Sequence, residues 1–223
     1  MPAAVTRGSP TSCVVPGDIF SVLDGAGIRR AHVMGVSLGG MVAQEMAVDY
    51  PERVGDLILV STTPGWPFAY PMPAVSAALI ARTGSLTREV AARSHAENAL
   101  SARTVLDRPE VADRLVALLG TRPADPGALA AQAAAGAGYT GYLRQTRISA
   151  RTLVLHGSAD TVVDPGNGKL LADRIPGAQL VIFPELGHLL VWEDPDGFVD
   201  AVTSFLLADR VPRNVLRAGR RKH

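Results

Sequence analysis

The chain has 223 residues, of which 47% are apolar and 19% charged, and its net charge is +1. Such a chain can bury the core of one domain with an inserted lid, and it is not wholly disordered. Aromatic residues, at 5%, are too sparse for a platform that stacks single-stranded nucleic acid, and a lone Cys13 excludes both an intramolecular disulfide and a cysteine metal cluster.

The N-terminal stretch MPAAVTRGSPTSCVVPGD has no continuous apolar run of the kind a secretory signal needs. No later stretch approaches membrane-spanning length, so the expected compartment is the cytoplasm, with no membrane partner. Residues 1–16 read as loop, and 17–26 as a short helix with Ile19, Phe20, Val22 and Leu23 as its apolar positions. The run AHVMGV at 31–36 lacks clean alternation and is expected to be a strand buried on both faces of a parallel sheet. It ends in Gly-Val-Ser-Leu-Gly-Gly. A helix follows, with Leu38, Met41, Val42, Met46 and Tyr50 on or near one face and Pro51 as its stop. Residues 54–61 read as a second buried strand.

From Thr62 to about Thr146 the pattern changes. Pro64, Pro67, Pro71 and Pro73 are followed by Ala-rich helical segments around 74–82, 87–106, 109–119 and 126–136, with no convincing strand. Alternation then resumes: a strand at 151–157, a helix at 166–174, a strand at 178–184, and a last helix at 195–208 whose Phe198, Val202, Phe205 and Leu206 face the core. The fold class is therefore α/β, a mostly parallel sheet flanked by helices, with residues 1–61 and 147–209 as its core and 62–146 as a helical cap. Arg210, Arg213, Arg217, Arg220, Arg221 and Lys222 make 210–223 a basic tail, read as a solvated terminus rather than a nucleic-acid contact.

Gly35-Val36-Ser37-Leu38-Gly39 fits Gly-x-Ser-x-Gly between a strand and a helix. A tight, strained turn there lifts the Ser37 oxygen clear of the sheet, and side chains at Gly35 or Gly39 are expected to clash with strand or helix. The helix N-terminus aims unpaired N–H groups at the same point, and the Leu38 N–H is the expected oxyanion donor. The bland alternative is a structural serine in a βα turn. A serine hydroxyl needs a base, and the base needs a group that fixes its tautomer. Sites of this kind run Ser, then Asp or Glu, then His along the chain, and Asp160 and His188 supply that order, each just past a predicted strand. Asp164 is the alternative acid, although it precedes Pro165 and reads better as a helix cap, as does Asp194 before Pro195. His188 alone could be a loop histidine, and His156 reads as structural. His32 and His95 receive no role. Met41, Met46 and Met72 read as packing. No residues show metal spacing, a dinucleotide glycine pattern or a phosphate-loop lysine, so no metal and no cofactor is expected.

Three segments carry a resemblance: AHVMGVSLGGMVAQEMAVDYPERVGDLILVSTTPG, RTLVLHGSADTVVDPGNGKLLADRIPGAQLVIFP and ELGHLLVWEDPDGFVDAVTSFL. In them the chain resembles the α/β-hydrolase superfamily from Asp18 to about Leu207. STTPGWP and GYLRQTRISARTLVLHG make it similar to a bacterial group that includes 3-oxoadipate enol-lactonase-like esterases and polyhydroxyalkanoate depolymerase-like proteins. The resemblance implies a serine hydrolase acting on a small or medium carboxylic ester or lactone through an acyl-enzyme, with a thioesterase or perhydrolase as an alternative. It also implies earlier strands and a His-Gly loop carrying a second oxyanion donor, and nothing before Ser37 matches that loop. Arg7-Gly8-Ser9-Pro10-Thr11-Ser12 reads as a remnant of a turn preceding the first helix. An N-terminally truncated fold would leave an open sheet edge. A start site placed too far downstream, gene decay, or a homodimer covering that edge each account for it, the first being favoured. A catalytically impaired hydrolase-like protein or binding module is the competing reading.

Overall fold

In the computed structural model, residues 16–120 and 126–208 are described. The loop before Pro16, Cys13 and the basic tail at 210–223 lie outside the described residues. The first half of the core runs α1 (Pro16–Gly25), β1 (Ala31–Val36), α2 (Leu38–Asp49) and β2 (Val54–Val60). An all-helical insertion follows: α3 (Ala74–Arg82), α4 (Arg88–Asn98), α5 (Ala102–Asp107), α6 (Pro109–Gly120) and α7 (Pro126–Ala137). The core resumes with β3 (Thr152–Gly157), α8 (Gly166–Arg174), β4 (Gln179–Phe183), α9 (Leu190–Glu193) and α10 (Pro195–Leu207). Two boundaries differ from the sequence expectation. The single helix expected over 87–106 is two, because Ser101 starts a new one by accepting the Thr104 N–H at 3.1 Å. The four-residue α9 was not anticipated. Asp194 caps α10 as expected, its Oδ1 accepting the Gly197 N–H at 3.0 Å, whereas the N-cap position of α8 is Pro165 and Asp164, one residue earlier, turns its Oδ1 onto the Gly166 N–H at 2.8 Å.

All four strands are parallel, in the order β1-β2-β3-β4. Successive side chains point to opposite faces. Leu57, Leu59 and Val154 face one layer, built by Phe20 of α1, Ala43, Met46 and Ala47 of α2, and Leu171 of α8. Ile58, Val60, Leu153 and Leu155 face the other, built by Leu190 of α9 and Phe198 and Phe205 of α10. Strands β2 and β3 are thus buried on both sides.

β1 is not, which corrects the sequence reading. Met34 and Val36 pair with Ile58 and Val60 and share their face, yet they are 52% and 39% exposed. Among the described residues β1 is the last strand of the sheet, and no helix covers that part of its face. Its apolar run reflects a strand that is apolar without being enclosed. Met72 is likewise exposed rather than packed. α2 departs in the other direction: Gly40, Met41 and the whole of 43–48 are buried, well beyond a single stripe. The sheet lies on one side of it and the ends of the insertion on the other. Gln44 Nε2 donates to the Thr63 carbonyl at 3.1 Å, and Gln145 Nε2 to Gln44 Oε1 at 2.8 Å. Glu45 pairs with Arg144 and accepts the Tyr139 hydroxyl at 3.2 Å. Burial raises the Glu45 carboxyl despite Arg144, and burial beside that carboxylate raises the Tyr139 phenol.

Candidate active site

Parallel strands place their C-terminal ends along one edge, and the three residues singled out from the sequence follow three of those ends. Ser37 sits between β1 and α2 with φ 54° and ψ −120°, a region that non-glycine residues enter only when held there. Three bonds hold it. Its N–H donates to the Val60 carbonyl at 2.9 Å, and its own carbonyl accepts the Gly40 N–H at 2.9 Å and the Thr62 hydroxyl at 2.7 Å. The glycines around it have different reasons. A Cβ on Gly35 would fall 2.2 Å from the Gly39 carbonyl oxygen, and one on Gly40 would fall 2.6 Å from the Thr62 side chain. A Cβ on Gly39 would meet open space, which corrects the expected clash at that position. The Leu38 N–H, in the first turn of α2, has no acceptor among the described residues.

Asp160 follows β3 and His188 follows β4. His188 Nδ1 lies 2.8 Å from Asp160 Oδ2. Asp160 Oδ1 accepts the Val162 and Val163 N–H groups at 2.8 and 2.9 Å. Burial alone would raise this carboxyl. The bonds from His156, His188 and Val163 outweigh it and hold the group at about 2, so it is a carboxylate at neutral pH. With Nδ1 fixed on that carboxylate, His188 Nε2 is the nitrogen left to accept a proton. The geometry joins Asp160 to His188 directly. Ser37 stands at the same edge, but its Oγ makes no hydrogen bond to His188 among the described residues. Such contacts commonly tighten only with substrate in place.

The loops that carry Asp160 and His188 rest on the helical insertion, and no sequence motif announced this. His188 and Leu189 N–H groups donate to the Ala99 carbonyl at 3.0 and 3.1 Å. Glu193, buried, takes the Gly187 N–H at 2.7 Å on one oxygen, and the Ser101 N–H at 3.0 Å and the Thr104 hydroxyl at 2.6 Å on the other. On the acid side, the Thr161 hydroxyl donates to the Asn98 carbonyl at 2.9 Å. The α4–α5 junction therefore grips both loops. Gly157, in the His-Gly pair that ends β3, permits the close approach: a Cβ there would lie 2.2 Å from the Gly187 carbonyl oxygen. Among the described residues no group of three or more His, Cys, Asp and Glu side chains is placed to hold a metal ion, and no helix is long and apolar enough to cross a membrane.

A family model described as the alpha/beta hydrolase fold matches residues 11–195. The chain belongs to the α/β-hydrolase family. It is similar to a 2-hydroxy-6-oxononadienedioate/2-hydroxy-6-oxononatrienedioate hydrolase of Cupriavidus pinatubonensis, 34% identical over 203 residues that cover 83% of this chain and 65% of that protein. A pimeloyl-(acyl-carrier protein) methyl ester esterase of Chromobacterium violaceum is 29% identical, over 79% of this chain and 70% of its own. Among solved structures, a hydrolase from Pseudomonas aeruginosa PA01 superposes with a TM-score of 0.68 at 30% identity, covering 91% of this chain and 74% of that one. The enol-lactonase from Burkholderia xenovorans LB400 reaches a TM-score of 0.73 at 22% identity, over 86% of this chain and 71% of that one, a likeness of fold alone. This family member spans 65–66% of the length of the first curated relatives it matches.

Proposed function

We propose that the chain is the catalytic part of a serine hydrolase acting on a small or medium carboxylic ester or lactone. The carrying observation is the 2.8 Å bond from His188 Nδ1 to a buried, ionised Asp160, at the sheet edge where Ser37 occupies a strained turn. In this reading Ser37 Oγ attacks the carbonyl carbon while His188 Nε2 takes its proton. Asp160 stabilises the imidazolium, and the Leu38 N–H donates to the oxyanion. His188 returns the proton to the leaving alkoxide, leaving an acyl-enzyme that water, deprotonated by the same imidazole, releases as the carboxylic acid. The insertion α3–α7 acts as a cap that shapes the acyl or ring pocket.

A second reading, a hydrolase-like binding module with impaired turnover, is favoured by the exposed flank of β1 beside Ser37. A panel of p-nitrophenyl esters and small lactones separates the two. Hydrolysis that vanishes in Ser37→Ala is the expected result, and a folded protein that binds members of the panel without turning them over would favour the module.

A further inference from the structure

Asp160 has a second imidazole. His156, the penultimate residue of β3, is fully buried, and its Nε2 lies 3.1 Å from Asp160 Oδ2, the same oxygen that faces His188. The same Nε2 lies 3.1 Å from the Val163 carbonyl, the better aligned of its two partners, so the Asp160 oxygen meets that N–H off-axis. Both neighbours are acceptors, so Nε2 carries the proton. Nδ1 has no hydrogen-bond partner among the described residues and faces α8, where a Cβ on Gly168 would fall 2.8 Å from it. The ring is therefore committed to donating from one nitrogen, at one place. Val163, whose carbonyl it meets, also gives its own N–H to Asp160 Oδ1. A residue that merely filled the core at this point would not need a donor aimed at the acid.

We infer that His156 is a positioning residue: its Nε2–H fixes the Asp160 carboxylate and the Val162–Val163 segment so that Oδ2 stays aimed at His188 Nδ1. The inference rests on the proposed roles of Ser37, Asp160 and His188. The carboxyl held at about 2 agrees with it, since His156 is among the groups that hold it down.

The test follows covalent labelling by a fluorophosphonate, by intact mass at several probe concentrations, per folded molecule. His156→Leu is expected to lower the limiting rate roughly tenfold or more, a fraction of the roughly 10²–10⁴-fold that a positioned base supplies, with the half-saturating concentration unchanged. His156→Gln, whose amide can donate from nearby, recovers most of the loss. Gly168→Ala pushes on the same ring from α8 and slows labelling as well; it decides the matter if His156→Leu does not fold. Wild-type limiting rates in His156→Leu, or in Gly168→Ala where that variant decides, with only the unfolding midpoint reduced, would overturn the inference. If the wild-type protein is not labelled at all, the hydrolase reading fails separately. The positioning role is then read from the exchange of the His188 Nδ1 proton by NMR: protected in wild type and His156→Gln, exchanging in His156→Leu. Equal protection in all three overturns it.

Discussion

The two halves of the candidate site are built differently. Asp160 and His188 sit on loops after β3 and β4 that are bonded to each other, to buried Glu193 and to the α4–α5 junction of the insertion. Ser37 sits after β1, a strand whose inner side is packed and whose outer flank exposes Met34 and Val36. Ser37 is fixed by its own turn, through Val60, Gly40 and Thr62, rather than by neighbours on both sides. The polar surroundings of His188 thus depend on an element remote in sequence, whereas the strained serine is a property of a single βαβ unit.

The comparison can be broken at four points, from the largest expected effect down. Ser37→Ala removes the group on which the chemistry turns, and ester hydrolysis is expected to fall by about 10⁴-fold or more with no loss of stability. Glu193→Ala leaves the Gly187 and Ser101 N–H groups and the Thr104 hydroxyl without their buried acceptor. Urea unfolding should show a loss of about 3 kcal/mol, partly restored in Glu193→Gln. Asp160→Asn is expected to cost about 2 kcal/mol at pH 7, from a carboxyl held at about 2 in the folded chain against an ordinary value near 3.8. Because the folded value is the lower one, that contribution is complete above about pH 4 and disappears as the pH falls through about 2. Urea titrations of wild type and Asp160→Asn at a series of pH values should therefore converge over that window. On the open flank, Val36→Ala should cost under about 1 kcal/mol, whereas Leu155→Ala, wholly enclosed between the layers, should cost about 2–5 kcal/mol. Equal costs at the two positions would mean that β1 is covered in solution.

What was legible from the sequence was what local pattern controls. Apolar runs of five to seven residues gave the four strands, and the glycine-flanked serine between strand and helix located the turn. Asp160 and His188 stand out in the sequence because each follows a strand, and the structure brings their side chains to 2.8 Å of each other. What was not legible depends on contacts between distant segments. The burial of β1 could not be read from AHVMGV, since the run states what the strand can bury and not what lies beside it. Gly39 looked like a clash-avoiding glycine, and only the open space around it shows otherwise. Glu193 sits in VWEDPD with no motif around it, and its role follows from the arrival of Ser101, ninety-two positions earlier in the chain. The break in the helix expected over 87–106 had a local signal, Ser101 as a cap, hidden by strong helix formers on both sides.

The central claim, that this chain assembles an activated serine at position 37, is tested most directly by treating the folded protein with a fluorophosphonate and measuring intact mass beside Ser37→Ala. One adduct is expected, mapped to Ser37 and absent from the variant. A folded wild-type protein that stays unmodified, or an adduct that persists in Ser37→Ala, would contradict it.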